Sequence, residues 1–264
     1  MKIGFIGCGN MARPIIKGII DAGIAQVAAA DIDRGSLEAF CAENGAAAWT
    51  QEKICAECDA VVLAVKPQVL PTVLPEIAPE IARRKPLVIS IAAGKTTEYI
   101  SSYFEDGVAV ARIFPNLNAR VKAAVSAYCG NKYVTEEQFS LVKRICESYG
   151  AAFALPEEKI DVFGVLGGCA PAYTFMYIEA LSSAASAAGL DPALSLEVAA
   201  KMAEGSARLL AASDDAPETL VKNVCSPGGT TIEGVKCLHE DDLAGIVARA
   251  FDASLRRDRE LSKF

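Results

Sequence analysis

Residues 7–12 read Gly7-Cys8-Gly9-Asn10-Met11-Ala12, a G-x-G-x-x-A turn between an apolar run, Lys2–Ile6, and an amphipathic stretch, Met11–Ala22. No other feature of the chain restricts its fold as much. A glycine at position 7 permits the tight reversal from strand to helix. A glycine at position 9 lets the backbone approach a ligand without a side chain between them, and Ala12 keeps the helix close to the sheet. The free N–H groups at the start of such a helix favour phosphate. Pro14 falls in the first turn, where its missing donor costs little. The segment therefore predicts a pyrophosphate-binding turn, with Gly7, Cys8, Gly9, Asn10 and Met11 against a dinucleotide.

The pattern around the turn agrees. Val27–Ala30, Ala60–Ala64, Leu87–Ile91 and Val108–Ile113 are nearly continuous apolar runs, as expected of strands covered on both faces. Helical patterns alternate with them: Leu37–Glu43, Glu52–Glu57, a proline-interrupted stretch over Leu70–Ile81, and Thr97–Tyr103. The alternation predicts a doubly wound, largely parallel α/β sheet. A further strand is expected over Ser126–Cys129. Thr135-Glu136-Glu137-Gln138 then fits a capping box for a helix ending near Gly150, and Ala152–Leu155 reads as a last strand. Asp31 closes the second strand about 22 residues past Gly9, where an acid reads the ribose 2′-OH of NADH. Arg34, three residues on, would favour a 2′-phosphate, and Asp31 is equally suited to capping the next turn. The balance leans to NADH without deciding against NADPH.

Beyond Pro156 strand signals stop. Ala- and Leu-rich helical patterns take over at Tyr173–Ala188, Pro192–Ala212 and Asp242–Lys263. The predicted organisation is a dinucleotide-binding domain over residues 1–158 and an all-α domain over 159–264. The α-domain carries wider apolar faces than a small bundle can bury alone, so a homodimer or higher homo-oligomer is expected through it, with Tyr173–Ala188 near the interface. The last helix carries Arg256, Arg257, Arg259 and Lys263 interleaved with Asp258 and Glu260, the pattern of a solvated or dimer-facing helix.

A net charge of −7 argues against nucleic-acid binding, which needs surplus Lys and Arg. No run is long and apolar enough for a membrane span, and glycines interrupt the N-terminus too early for a signal peptide. The nine cysteines are odd in number and read as reduced thiols in a cytoplasmic protein. Cys55-Ala56-Glu57-Cys58 has no second pair to complete a zinc site, and His239 is the only histidine, so no metal is expected.

Five segments then converge in order: Phe5–Ala12, Leu63-Ala64-Val65-Lys66-Pro67, Ser90-Ile91-Ala92-Ala93-Gly94, Arg112-Ile113-Phe114-Pro115-Asn116 and Ser226-Pro227-Gly228-Gly229-Thr230-Thr231-Ile232. Over essentially the whole chain this closely resembles the pyrroline-5-carboxylate reductases. The resemblance implies a Rossmann domain followed by a helical domain that interlocks with a partner subunit. By matching motif it implies that Gln51, Ala64, Val65, Lys66, Pro67, Ala92, Ala93, Gly94, Pro115, Asn116 and Asn223 contact NADPH or NADH. Ser226, Gly228, Gly229, Thr230 and Thr231 would hold the substrate. The chain departs from the family where R-x-M-P-N-T-P reads Arg112-Ile113-Phe114-Pro115-Asn116-Leu117-Asn118. It departs again where S-G-S-G-P-A-Y reads Gly167-Gly168-Cys169-Ala170-Pro171-Ala172-Tyr173, which removes two serine hydroxyls.

The residues suit that substrate, a cyclic imine bearing a carboxylate. Gly228-Gly229-Thr230-Thr231 precedes a helical pattern over Ile232–Leu238, which offers backbone N–H groups and hydroxyls to an anion. A protonated imine already carries its proton, so orientation matters more than a strong acid, and Thr231 is the candidate catalytic residue. Two alternatives stay open: another imine or 3-hydroxyacid dehydrogenase of similar architecture, and a dinucleotide-binding sensor without catalysis. No lysine lies between Lys159 and Lys201, where the hydroxyacid enzymes would place one. The intact Ser226–Thr231 segment has no use in a pure nucleotide sensor.

Overall fold

The computed structural model describes residues 1–261, with the backbone alone at Leu261. The chain packs as two units. One comprises Met1–Gly168 with the chain from Leu255 onward, and the other Cys169–Ser254.

The first unit is built on eight strands: β1 (Lys2–Ile6), β2 (Gln26–Ala30), β3 (Ala47–Ala48), β4 (Ala60–Leu63), β5 (Leu87–Ser90), β6 (Val110–Phe114), β7 (Ala124–Gly130) and β8 (Gly150–Ala154). Their order is β3-β2-β1-β4-β5-β6-β7-β8. The pairs from β3 to β6 are parallel. β7 turns back antiparallel on β6, and β8 runs parallel to β7. The order reverses between β1 and β4, which opens a crevice at the strands' carboxyl ends.

Helices α1 (Ala12–Asp21), α2 (Arg34–Asn44), α3 (Gln51–Glu57), α4 (Leu70–Arg84), α5 (Thr97–Ser101) and α6 (Glu136–Glu147) cover the two faces of this sheet. Ile15, Ile16 and Ile19 of α1 join Val142, Ile145 and the fully buried Tyr149 in one layer. Ile54, Leu70, Leu74, Ile77, Ile81 and Ile100 form the other. The capping box is present, with Gln138 N–H donating to Thr135 Oγ1 at 3.2 Å and Thr135 N–H to Gln138 Oε1 at 3.0 Å. The proline-interrupted stretch is one continuous helix, α4, with Pro75 and Pro79 inside it. Pro71, Pro75 and Pro79 fall four residues apart on its solvent side. Their exposed rings put the missing donors on the outer side, while Val73, Leu74, Ile77 and Ile81 face the core.

The two-residue β3 carries no sequence signal, since Ala47-Ala48 has neither β-branching nor alternation. Residues 157–168, which straddle the sequence boundary at 158, pack with the sheet. They form a 3₁₀ turn, α7 (Ile160–Phe163) and a π-turn over Gly164–Cys169. Ile160 is buried against Ala127 and Cys129 of β7.

The second unit holds α8 (Ala170–Ala187), α9 (Pro192–Ala212), α10 (Pro217–Val224), α11 (Thr230–Glu240) and most of α12 (Leu243–Leu261). The Asp191 carboxylate caps α9 by accepting Leu194 N–H at 2.9 Å. Ser182 on α8 and Ser195 and Ala199 on α9 are its buried small residues. Phe175, Met176, Leu181, Leu194, Val198 and Leu209 are exposed on the same two helices. The last predicted helix begins at Leu243 rather than Asp242, whose carboxylate instead accepts Gly245 N–H at 3.1 Å. Its expected end at Lys263 lies outside the described residues. Among the described residues no helix is long and apolar enough to cross a membrane.

Candidate active site

The glycine turn lies at the crevice where the strand order reverses. Gly7 N–H donates to Ala30 O at 2.8 Å, and Ala64 N–H donates to Ile6 O at 2.8 Å. Gly7 has φ +100°, and a Cβ there would stand 2.6 Å from Ala64 O. The turn thus passes too close to β4 for any side chain. Gly9 is the converse: a Cβ there meets nothing within 4 Å, because the position opens onto the cleft. α1 starts at Ala12, and Met11 stands as its N-cap with no side-chain hydrogen bond. The amides of the first turn therefore have no partner within the helix.

The cleft in front of the turn encloses about 660 Å³ and is lined by Gly7, Gly9, Asp31, Gln51, Ala64, Val65 and Lys66 among the residues singled out from the sequence. Arg34 and Trp49 line it too, and Ile32 stands fully exposed at its rim. Trp49 gave no signal in sequence because the loop after β3 reaches the cleft only through the fold. Gln51 begins α3 and donates to Glu76 Oε2 at 3.1 Å. Pro67 follows β4 in a 3₁₀ turn. A bare backbone at Gly9, a helix start and an apolar cleft of this size are what a dinucleotide needs.

Both oxygens of Asp31 are engaged, one accepting Cys8 N–H at 2.7 Å and the other Asp33 N–H at 3.0 Å. Beside them a cavity of about 180 Å³ is lined by Cys8, Gly9, Arg13, Asp31, Asp33 and Ser36. Arg13 spans it, donating from Nε to Cys8 O at 3.0 Å and from Nη2 to Ser36 Oγ at 2.6 Å. Arg34 pairs with Glu38 at 3.5 Å and donates to Trp49 O at 3.3 Å. Burial pushes the Cys8 thiol up, with the Arg13 hydrogen bond opposing it.

At the next two strand ends, Ala92 N–H donates to Ser90 Oγ at 3.3 Å, and Gly94 lines a second cavity with Arg112, Phe114 and Glu157. Ala93 between them is exposed and Pro115 half-buried. Asn116 is buried. It donates to Gly167 O at 2.8 Å and accepts Val125 N–H at 3.3 Å, so its carboxamide holds the π-turn. One of the family's two missing serines has a packing explanation here: a Cβ at Gly167 would stand 3.1 Å from Val125 and 3.2 Å from Phe163. Nothing in the structure explains Cys169 at the position of the other.

In the helical unit, Asn223 sits on α10 and Ser226–Thr231 form the turn into α11. Gly229 N–H donates to Ser226 O at 3.0 Å. Gly229 is the N-cap of α11, with no side chain to occupy the first-turn amides. Ser226, Thr230 and Thr231 are exposed. His239 lies at the far end of the same helix, roughly 12 Å from Thr231 along the axis. Cys55 and Cys58 are both buried, and burial pushes their thiols up to about 12 and about 11. Thiols so shifted are poor nucleophiles and poor ligands. Among the described residues no group of three or more side chains is placed to hold a metal.

Comparison with known proteins agrees with this geometry. A family model described as pyrroline-5-carboxylate reductase dimerisation matches residues 157–261, and one described as NADP oxidoreductase, coenzyme F420-dependent, matches residues 2–94. A pyrroline-5-carboxylate reductase of Methanosarcina acetivorans is 36% identical over 99% of this chain and 98% of its own. The structure of a pyrroline-5-carboxylate reductase from Coxiella burnetii superposes with a TM-score of 0.94 at 31% identity, covering 99% of this chain and 98% of that one. The Plasmodium falciparum pyrroline carboxylate reductase with NADP bound gives a TM-score of 0.86 at 26% identity, covering 99% and 98%. Sequence, fold and site agree that the chain belongs to the pyrroline-5-carboxylate reductase family.

Proposed function

We propose that this chain reduces 1-pyrroline-5-carboxylate to L-proline with NADH or NADPH. The observation that carries the reading is the Ser226–Thr231 turn. Its uncapped helix start is flanked by three hydroxyls, and the one carboxylate of its first turn, Glu233, is paired with Lys236 at 2.8 Å. Such a turn suits a substrate that brings a carboxylate and an already protonated nitrogen.

The bound dinucleotide supplies a hydride to the imine carbon. Gly9, Asn10 and Met11 offer backbone N–H groups to its pyrophosphate, while Gly7 and Cys8, whose own N–H groups are held by Ala30 O and Asp31, shape the turn around it. Asp31, Gln51 and Ala64–Pro67 line its course through the cleft. Ala92, Ala93, Gly94, Pro115 and Asn116 bound the nicotinamide end, Asn116 by holding the π-turn, and Asn223 on α10 is a further cofactor contact that the family resemblance implies. Gly228 and Thr230 offer amides to the carboxylate, Gly229, its own N–H held by Ser226 O, leaves the approach free of a side chain, and Ser226 adds a hydroxyl. Thr231 Oγ1 accepts the N–H of the protonated ring nitrogen and keeps the ring oriented. Within the cofactor pair the reading favours NADH, because Asp31 and Asp33 set two carboxylates where a 2′-phosphate would approach, against Arg13 and Arg34.

The division of labour follows: residues 1–158 for the dinucleotide, 159–264 for the substrate and for pairing in a homodimer or larger homo-oligomer. Tyr173–Ala188 is assigned to the pairing face on its exposed apolar side chains. The nine cysteines suit a reducing cytoplasm. The test is a steady-state assay of pyrroline-5-carboxylate reduction with NADH and NADPH in parallel. Turnover with NADH ahead of NADPH is expected. Binding of either dinucleotide without turnover would replace the reductase by a sensor.

A further inference from the structure

The loop from Ile91 to Thr96 carries Ala92–Gly94, which the reductase reading sets against the nicotinamide. Both its ends are tied to a single carboxylate. At one end Ser90 is the ladder partner of Arg112 on β6. Arg112 is 8% exposed, and its Nη1 lies 3.2 Å from Glu157 Oε1. At the other end Thr97 is 6% exposed and gives Glu157 two hydrogen bonds, from its backbone N–H to Oε1 at 2.8 Å and from its hydroxyl to Oε2 at 2.6 Å. Six loop residues thus close a ring through Ser90, Arg112, Glu157 and Thr97.

We propose that Glu157 is a positioning residue, whose carboxylate fixes the Ala92–Gly94 loop through Thr97 and Arg112. The inference rests on the assignment of that loop to the nicotinamide. The loop's own hydrogen bonds lie at its ends: Ala92 N–H to Ser90 Oγ at 3.3 Å is long, Ile91 N–H to Leu63 O at 3.1 Å holds only its base, and Thr96 accepts Tyr99 N–H at 3.0 Å as the cap of α5. Gly94 has φ +70° and meets nothing within 4 Å of a Cβ, so no packing pins the turn. The Glu157 bonds are charge-assisted and part-buried, which makes them the strongest ties the loop has. A small displacement of a group that orients a reacting ring falls on the chemical step more than on binding. The adenosine end of the ligand, in the cleft with Trp49, is held elsewhere.

The test uses the whole chain with four variants: Glu157→Ala, Glu157→Gln, Thr97→Val and Thr97→Ser. Dinucleotide affinity is read by quenching of Trp49, the single tryptophan. Turnover is read with ordinary and 4-deuterated NADH, and amide hydrogen exchange is followed over residues 91–97 with NADH bound. Glu157→Ala and Thr97→Val should lower kcat by roughly 10- to 100-fold, with a larger isotope effect and a dinucleotide Kd within about threefold of wild type. Exchange over 91–97 should accelerate in both. Thr97→Ser should retain wild-type values, Glu157→Gln should fall between, and the Ala–Val double variant should be no worse than either single one. A folded Glu157→Ala chain with wild-type exchange over 91–97 would overturn the proposal, as would additive losses in the double variant. A wild-type chain that binds NADH without reducing the imine would sink the reductase reading alone. The exchange measurement needs no turnover and would still decide the role of Glu157.

Discussion

The Asp31 carboxylate accepts the backbone N–H of Cys8 at 2.7 Å. The residue that follows β2 thus braces the glycine turn as well as facing the ribose side of the cleft. Asp31→Ser should weaken both dinucleotides by loosening the turn. It should weaken NADH more, moving the ratio of kcat/KM values about tenfold toward NADPH, or ~1.4 kcal/mol. Parallel assays with the two cofactors measure it, and equal losses would leave Asp31 a brace alone.

The two glycines of the turn should fail differently. Gly7→Ala forces a Cβ to within 2.6 Å of Ala64 O at φ +100°, so the variant should unfold early in thermal melts. Gly9→Val has open space around its Cβ and should melt like the wild type. Its side chain would stand where the pyrophosphate approaches, so Trp49 quenching should show Kd for NADH raised by at least about tenfold. A Gly9→Val chain with unaltered affinity would remove the pyrophosphate from this turn.

Thr231→Ala removes a hydroxyl and leaves the α11 amides in place. If Thr231 orients the ring nitrogen, kcat should fall by roughly 10- to 1000-fold with NADH affinity unchanged. Steady-state kinetics with saturating cofactor measure it, and wild-type kcat would make the Ser226–Thr231 turn structural only.

Restoring the family serine at position 167 should not restore activity. The Cβ of Gly167→Ser would press on Val125 at 3.1 Å and Phe163 at 3.2 Å. Overpacking of this kind costs about 1–3 kcal/mol, read by urea unfolding. Unchanged stability with raised kcat would show that the hydroxyl is missed.

Alkaline pH should destabilise the sheet through Cys146. Burial pushes this thiol from 9.0 up to about 12. The folded chain therefore keeps its proton where the unfolded chain loses it. The stabilisation is whole below pH 9 and declines as pH rises toward 12, by about 1.4 kcal/mol at pH 10 from this one group. Cys146→Ala should flatten the dependence of unfolding free energy on pH between 9 and 10, and an unchanged slope would contradict the shift.

The strand–turn–helix at residues 2–21 was legible because its signal is local: an apolar run, two glycines at fixed offsets and a helical period. The all-α second half was legible from the loss of strand signals after Pro156. What stayed hidden depends on distant segments meeting. Arg13 and Ser36 are joined across the turn, and Thr97 meets Glu157 from the far side of three strands. Neither pair carries a local pattern. Asn116 was legible as part of a motif, but its bonds to Gly167 and Val125 were not. The serine replaced by Gly167 looked like a loss until Val125 and Phe163 showed that a side chain there is crowded.

The three prolines on the outer stripe of α4 bear on the order in which the chain folds. A segment with Pro75 and Pro79 in mid-helix forfeits about 3 kcal/mol at each and has no tendency to coil alone. Its helical form exists only as an imprint of the surface beneath it, so β4 and β5 must associate before residues 70–84 wind. A peptide of that segment should be structureless in water, and in refolding α4 should gain amide protection after the strands it covers.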